Sequence, residues 1–196
     1  MNRVKVAVFQ EAKDGNNECG DSYFYKETEN EFICALADGL GSGEFAKESS
    51  KIVIDIIQEY YHSPVEELVK KCNEKLIGKR GTVLAILKID YRSNNYSISS
   101  IGNVGVMTIT GGNTRKRSVP NAGYLAGFNR KFKVVQEPLE NEMNFVMYTD
   151  GVTSKELTER YFYEKDVERI TKNFALKSKE KRKDDTTLIA IQYKHN

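Results

Sequence analysis

A chain of 196 residues is long enough to bury a substantial core, and one domain is expected over residues 1–196. Its net charge of +2, from 30 basic and 28 acidic residues, gives no whole-chain argument for nucleic acid or a membrane surface. Three scattered cysteines without a CxxC pair, and only two histidines, argue against a disulfide frame, a zinc site or histidine-dependent nucleophilic catalysis.

No apolar run approaches membrane-spanning length, and MNRVKVAVFQ lacks the apolar core of a signal peptide, so a cytoplasmic location is expected. Alternating apolar residues predict a first strand over 4–9. Residues 22–27 and 31–37 flank a short polar turn and predict a β-hairpin. With that turn centred on Glu29 and Asn30, counting outward pairs Asp21 with Asp38 at the open end. The apolar run 32–37 ends on Asp38 and Gly39, then passes through Gly41 and Gly43 into a helix start. Aspartate is a poor strand former and costly to bury without compensation. Asp38 therefore either caps a turn or holds a cation, and taken alone the turn is the better reading.

Helical spacing of Ala46, Ile52, Ile56 and Tyr60, widened by Val53 and Ile57, predicts a helix over 43–61. Ser63 as N-cap and Pro64 at the first helical position open a second helix, to about residue 77, presenting Val65, Leu68, Val69, Cys72 and Leu76. Strands follow over 82–91, 96–101 and 104–110, with shorter ones near 115–119 and 132–137. A buried strand over 144–149 ends on Asp150 and Gly151. Helical pieces are expected within 153–157 and 164–176, then a solvated basic loop over 177–183 and a last strand over 187–193. Cys34 reads as core packing and His62 as a helix-end residue. The whole is an α+β domain with many antiparallel strands.

Asp38 and Asp150 each close an apolar strand, while Asp184 and Asp185 stand before the last one. In an antiparallel sheet the end of one strand lies beside the start of its neighbour, so Asp21, Asp38, Asp150 and Asp184 can gather on one edge. Carboxylates so gathered repel one another unless a cation sits between them. Oxygen-only ligands favour Mg²⁺ or Mn²⁺ over zinc.

Six segments, GDSYF, ALADGLGSG, GKRGTVLAIL, SIGNVG, FVMYTDG and DDTTLIAI, fall in the order and spacing of the metal-dependent serine/threonine phosphatases of the protein phosphatase 2C type. DGLGSG and the small size most resemble the bacterial sporulation and stress-response branch, in particular its small stand-alone phosphatases of the stressosome. The resemblance implies a four-layer αββα sandwich of two mainly antiparallel sheets flanked by helices. It implies that Asp38 bridges two Mn²⁺ or Mg²⁺ ions, that the Gly39 carbonyl contacts one, and that Asp150 and Asp184 hold the other. Asp21 would act through metal-bound waters and Asp185 as an auxiliary acid, with catalysis resting on Asp38 and Asp21. Two such ions give a bridging hydroxide at neutral pH that attacks phosphorus in line, without a phosphoenzyme. The implied substrate is a phosphoserine or phosphothreonine of a stressosome or anti-anti-sigma (STAS-type) protein, and the chain is expected to act as a monomer.

Three positions depart from the family pattern. Leu40 stands where many relatives carry a histidine usable as a general acid. Arg3 is the only early arginine to meet a phosphate, and Gly105 replaces an arginine common after SIGNV. These gaps motivate a rival from another class, a binding module that grips a phosphorylated partner without hydrolysis. Two motif readings rank lower. Residues 41–46 fit GxGxxA, but Asp38 just before them would repel a pyrophosphate. Residues 78–82 faintly resemble a phosphate loop, yet Arg80 stands where serine or threonine belongs, and a helix stop is preferred. A docking role for the basic loop 177–183 is the minority reading beside solvation.

Overall fold

The apolar run closing on Asp38 is long because the strand that carries it is covered on both faces. In the computed structural model, which describes residues 3–41, 43–111, 114–177 and 182–195, this strand is β3 (Glu31–Gly39). The others among the described residues are β1 (Val4–Glu11), β2 (Asp21–Glu27), β4 (Thr82–Asp90), β5 (Asn95–Ile101), β6 (Gly105–Thr110), β7 (Arg115–Arg117), β8 (Val135–Pro138), β9 (Glu142–Tyr148) and β10 (Thr186–Lys194). They form two five-stranded sheets, ordered β1-β10-β9-β6-β7 and β2-β3-β4-β5-β8. Every neighbouring pair of named strands is antiparallel.

Side chains alternate across a strand, so Phe32, Cys34 and Leu36 of β3 enter the core between the sheets, where they meet Phe145, Met147, Ile189 and Ile191. Ile33, Ala35 and Ala37 point the other way, under α1 (Glu44–Glu59) and α2 (Val65–Lys75). On the opposite outer face α3 (Val167–Lys177) lays Val167, Ile170 and Phe174 over Val146, Leu188 and Ala190. Each such side chain, fully buried, contributes roughly 1.5–3 kcal/mol. The layers are helix, sheet, sheet, helix, as the family resemblance implies.

Three expectations need correction. The buried face of α1 is not centred on Ile52, Ile56 and Tyr60. It runs through Ala46, Ser49, Ser50, Val53 and Ile57, while Tyr60 is 38% exposed. Two serines disguise that face, and Ser50 is buried because its hydroxyl donates to the Gly20 carbonyl at 2.6 Å. The basic loop is not simply solvated either. Residues 178–181 lie outside the described residues, but Arg182 is buried, with Nη1 3.0 Å from Glu156 and its guanidinium 4.8 Å over the Phe174 ring. Ahead of α3 the helical piece narrows to a 3-10 turn, Glu156–Thr158, and a second, Arg160–Tyr163, follows where none was expected.

The dinucleotide reading fails on topology. That motif requires a parallel crossover, whereas β3 and β4 on either side of α1 and α2 pair antiparallel.

Candidate active site

The hairpin register places Asp21 opposite Asp38, as counting from the turn predicts. Both lie at one end of the sandwich. Asp150 follows the end of β9 at that same end, and Asp184 and Asp185 precede β10, whose start pairs beside it. Gly39 continues β3 with no room for a side chain, since a β-carbon there would lie 1.8 Å from the Ala46 carbonyl oxygen. The first turn of α1 is thus packed directly behind the acids.

Asp21 is fully buried. Its Oδ2 accepts from the Thr187 hydroxyl at 2.6 Å and the Thr149 hydroxyl at 3.0 Å. Those protons are aimed inward because each hydroxyl oxygen is itself a target: Gln10 Nε2 donates to Thr187 Oγ1 at 3.0 Å, and the Thr187 amide donates to Thr149 Oγ1 at 2.9 Å. Asp21 Oδ1, equally buried, has no partner. An unsatisfied polar atom of this kind costs about 1–3 kcal/mol. Burial pushes the Asp21 carboxyl up to about 6, against the pull of the two threonines, with Asp185 and Asp150 adding to the rise.

Asp38 is half-buried, and burial together with Asp21, Asp150, Asp184 and Asp185 pushes it up to about 8. Asp150 at the rim is also raised, by burial and then by Asp184, while Asn103 Nδ2 donates to its Oδ2 at 2.5 Å and opposes the rise. Asp184 is exposed, and its Oδ1 accepts from the Asp185 amide at 2.9 Å. Asp185 is spent on the backbone: Oδ1 accepts from the Lys13 amide at 2.8 Å and Oδ2 from the Gly20 amide at 2.9 Å. It pins the β1–β2 loop, which delivers Asp21.

No lysine or arginine forms an ion pair with any of these five acids among the described residues. Lys47 comes near, but its ammonium is taken by the Asp21 backbone carbonyl at 2.7 Å. Among the described residues no three such side chains already converge into a ready-made metal cage. Carboxylates without a cation between them repel one another or take up a proton. An all-oxygen donor set with a buried, partnerless oxygen fits a hard divalent ion.

The departing positions are also explained. Leu40 packs against the inter-sheet core and has no proton to give. At Gly105 the ring of Tyr148 fills the space a side chain would need, 2.2 Å from a β-carbon, so no arginine fits without moving it. Arg3 lies at the other end of the sandwich, 4.6 Å over the Tyr91 ring. His62 is there too, bonded to Glu31 at the start of β3. Beside Asp21, the Cys19 thiol is pushed up to about 12 by burial and by Asp21, which disfavours the thiolate that a nucleophile needs. Sequence reasoning missed Thr149, Thr187, Asn103 and Lys47. The first two sit next to or near the acids, in YTDG and DDTT, where threonine reads as an ordinary strand residue.

Comparison with known proteins places the fold and the family. The profile of stage II sporulation protein E (SpoIIE) matches residues 28–194. The chain is 34% identical to the phosphoserine phosphatase RsbX of Bacillus subtilis (strain 168) over 189 residues, covering 96% of this chain and 94% of that one. It superposes on the crystal structure of RsbX in complex with magnesium with a TM-score of 0.90 at 34% identity, covering 97% and 95% of the two chains. The catalytic domain of the serine/threonine phosphatase PstP with two manganese ions shares the fold, at a TM-score of 0.77, 13% identity and 97% coverage of each chain.

Proposed function

The chain belongs to the stage II sporulation protein E family and has the fold of the 2C-type protein phosphatases, and from that premise we propose that it is a Mg²⁺- or Mn²⁺-dependent phosphatase that removes phosphate from a phosphoserine or phosphothreonine of a bacterial stress regulator. The observation that carries this reading is the Asp21–Asp38 pair, raised in pKa by burial and by neighbouring acids, with no side-chain cation paired to them among the described residues.

In this reading Asp38, the Gly39 carbonyl, Asp150 and Asp184 hold two divalent ions. Bound there, the ions supply Lewis acidity, lowering the pKa of water and neutralising phosphoryl oxygens. The chain's own residues do the rest. Asp21 stands one step behind, its orientation locked through Oδ2 by Thr149 and Thr187 while Oδ1 is left without a hydrogen-bond partner. Asp185 fixes the loop that carries Asp21. Asn103 holds Asp150 in place. Leu40 offers no proton, and burial together with Asp21 disfavours the Cys19 thiolate. Water serves as the nucleophile, and the leaving serine oxygen is protonated from solvent.

The proposed partner is a phosphorylated STAS-type or stressosome protein, by likeness to RsbX, met by the chain as a monomer. The test is phosphate release from a phosphorylated STAS-domain protein with Mn²⁺, Mg²⁺ or EDTA. Release with either ion and none with EDTA is expected. Tight binding of the phosphoprotein without release would instead establish the binding-module alternative.

A further inference from the structure

A basic side chain beside a metal-loaded acidic site would add a directional contact to a phosphate dianion, and both family positions for one are out of play. Arg3 is at the wrong end, and Tyr148 fills the space beside Gly105. The turn between α2 and β4, residues 78–81, offers another. Leu40 N donates to the Gly81 carbonyl at 3.1 Å, and Thr82 pairs with Gly39, so this turn is tied to the loop that follows Asp38. From it Arg80 reaches over that loop: a β-carbon on Gly41, at φ +102°, would lie 2.9 Å from Arg80 Nη1. The guanidinium also rests 5.0 Å over the ring of Phe45, which is 60% exposed.

The nearby cations are engaged and Arg80 is not. Lys79 pairs with Glu48 at 2.7 Å, Lys47 is held by the Asp21 carbonyl, and Arg182 Nη1 is held by Glu156 and the Gly151 carbonyl. Arg80 has no carboxylate partner among the described residues. We propose that Arg80 is the phosphate-binding residue of this enzyme, held by Phe45 over the Gly41 loop that follows Asp38, with its fork of N–H donors free for a phosphomonoester. A guanidinium matches two phosphoryl oxygens at once, and stacking on an aromatic ring limits the entropy it loses on binding. The position fits a protein substrate, since the charge is on the surface, where a serine phosphate on a folded partner arrives first. This rests on the active-site reading above, because ions on those acids are what bring the phosphoryl group to this loop.

The experiment compares the wild type with R80A, R80K and K79A, all at exposed positions. Binding of inorganic phosphate to the Mn²⁺-loaded protein is measured by calorimetry, and KM and kcat are measured on a phosphoserine peptide. R80A should weaken inorganic phosphate about ten-fold or more and raise KM in parallel, with a smaller change in kcat. R80K should fall between, restoring the charge but not the fork. K79A should match the wild type, and Mn²⁺ affinity should be the same in all four. Unchanged phosphate affinity and KM in R80A, with Mn²⁺ bound normally, would overturn the role of Arg80 and leave the metal site standing. A wild type that binds neither Mn²⁺ nor phosphate would overturn both.

Discussion

The two ends of the sandwich treat acidic residues in opposite ways. At the end remote from Asp38, Glu31 has Lys88 at 3.1 Å and His62 at 2.6 Å, and Glu27 takes the Arg3 amide at 2.8 Å and the Tyr91 hydroxyl at 2.9 Å. Glu142 there has Lys165 at 2.8 Å and Lys194 at 3.9 Å. At the Asp38 end five carboxylates share one region, and no basic side chain pairs with any of them among the described residues. Glu31, Glu27 and Glu142 thus have donors at one end, while the five aspartates at the other have no basic side-chain partner among the described residues. A hollow of about 970 Å³, lined by Arg3, Lys5, Lys26, Glu27, Tyr91 and Glu168, lies at the paired end. The proposed site is therefore marked by unbalanced charge and not by this hollow.

That contrast can be broken from either side. The largest effect is expected from Asp38→Asn, which should cut Mn²⁺-dependent phosphate release by at least about 100-fold while far-UV circular dichroism stays native. Turnover within a few-fold of the wild type would remove Asp38 from the site.

The second test is stability without metal. Unfolded carboxyls titrate near ~4, whereas burial and the neighbouring acids hold Asp38 at about 8 and Asp21 at about 6 in the folded chain. The folded state then binds more protons over that interval, so the contribution of these groups is fully present below pH ~4 and is lost as pH rises through 6 and 8. With EDTA, the margin of Asp38→Asn over the wild type should be small at pH 5 and larger at pH 8.5, by on the order of 1–3 kcal/mol after solvent screening. Thermal melts at the two pH values measure this, and an equal offset at both would contradict it.

Thr187→Val probes the support of Asp21. Losing the 2.6 Å donor should cost about 1–2 kcal/mol in denaturant unfolding and move the acidic limb of the pH–rate profile upward. A change in stability with an unmoved profile would make Thr187 merely structural. The smallest functional effect should come from Lys88→Met at the paired end. It should lose about 1–3 kcal/mol of stability, since Glu31 and the Tyr61 and Ser63 carbonyls lose their donor, with kcat and KM unchanged.

Much of this was legible in the sequence, for identifiable reasons. The Asp21–Asp38 register could be counted because a short turn fixes hairpin pairing and a buried face forbids slippage. The doubly covered β3 announced itself as an unbroken apolar run. What could not be read was polarity turned inward. Ser49 and Ser50 hid the buried face of α1, and Arg182 looked like loop charge until Phe174 and Glu156 were seen around it. Thr149 and Thr187 act through a chain of donors whose order is tertiary, spanning 38 residues between the Thr187 amide and the Thr149 hydroxyl. Spacing in the chain carries no trace of such a relay.

The most direct test of the account is an anomalous difference map from crystals grown with Mn²⁺. Two peaks are predicted at the open end of the β2–β3 hairpin, about 2.1 Å from oxygens of Asp38, Asp150 and Asp184 and from the Gly39 carbonyl. Manganese bound elsewhere, with these carboxylates turned apart into solvent, would contradict it.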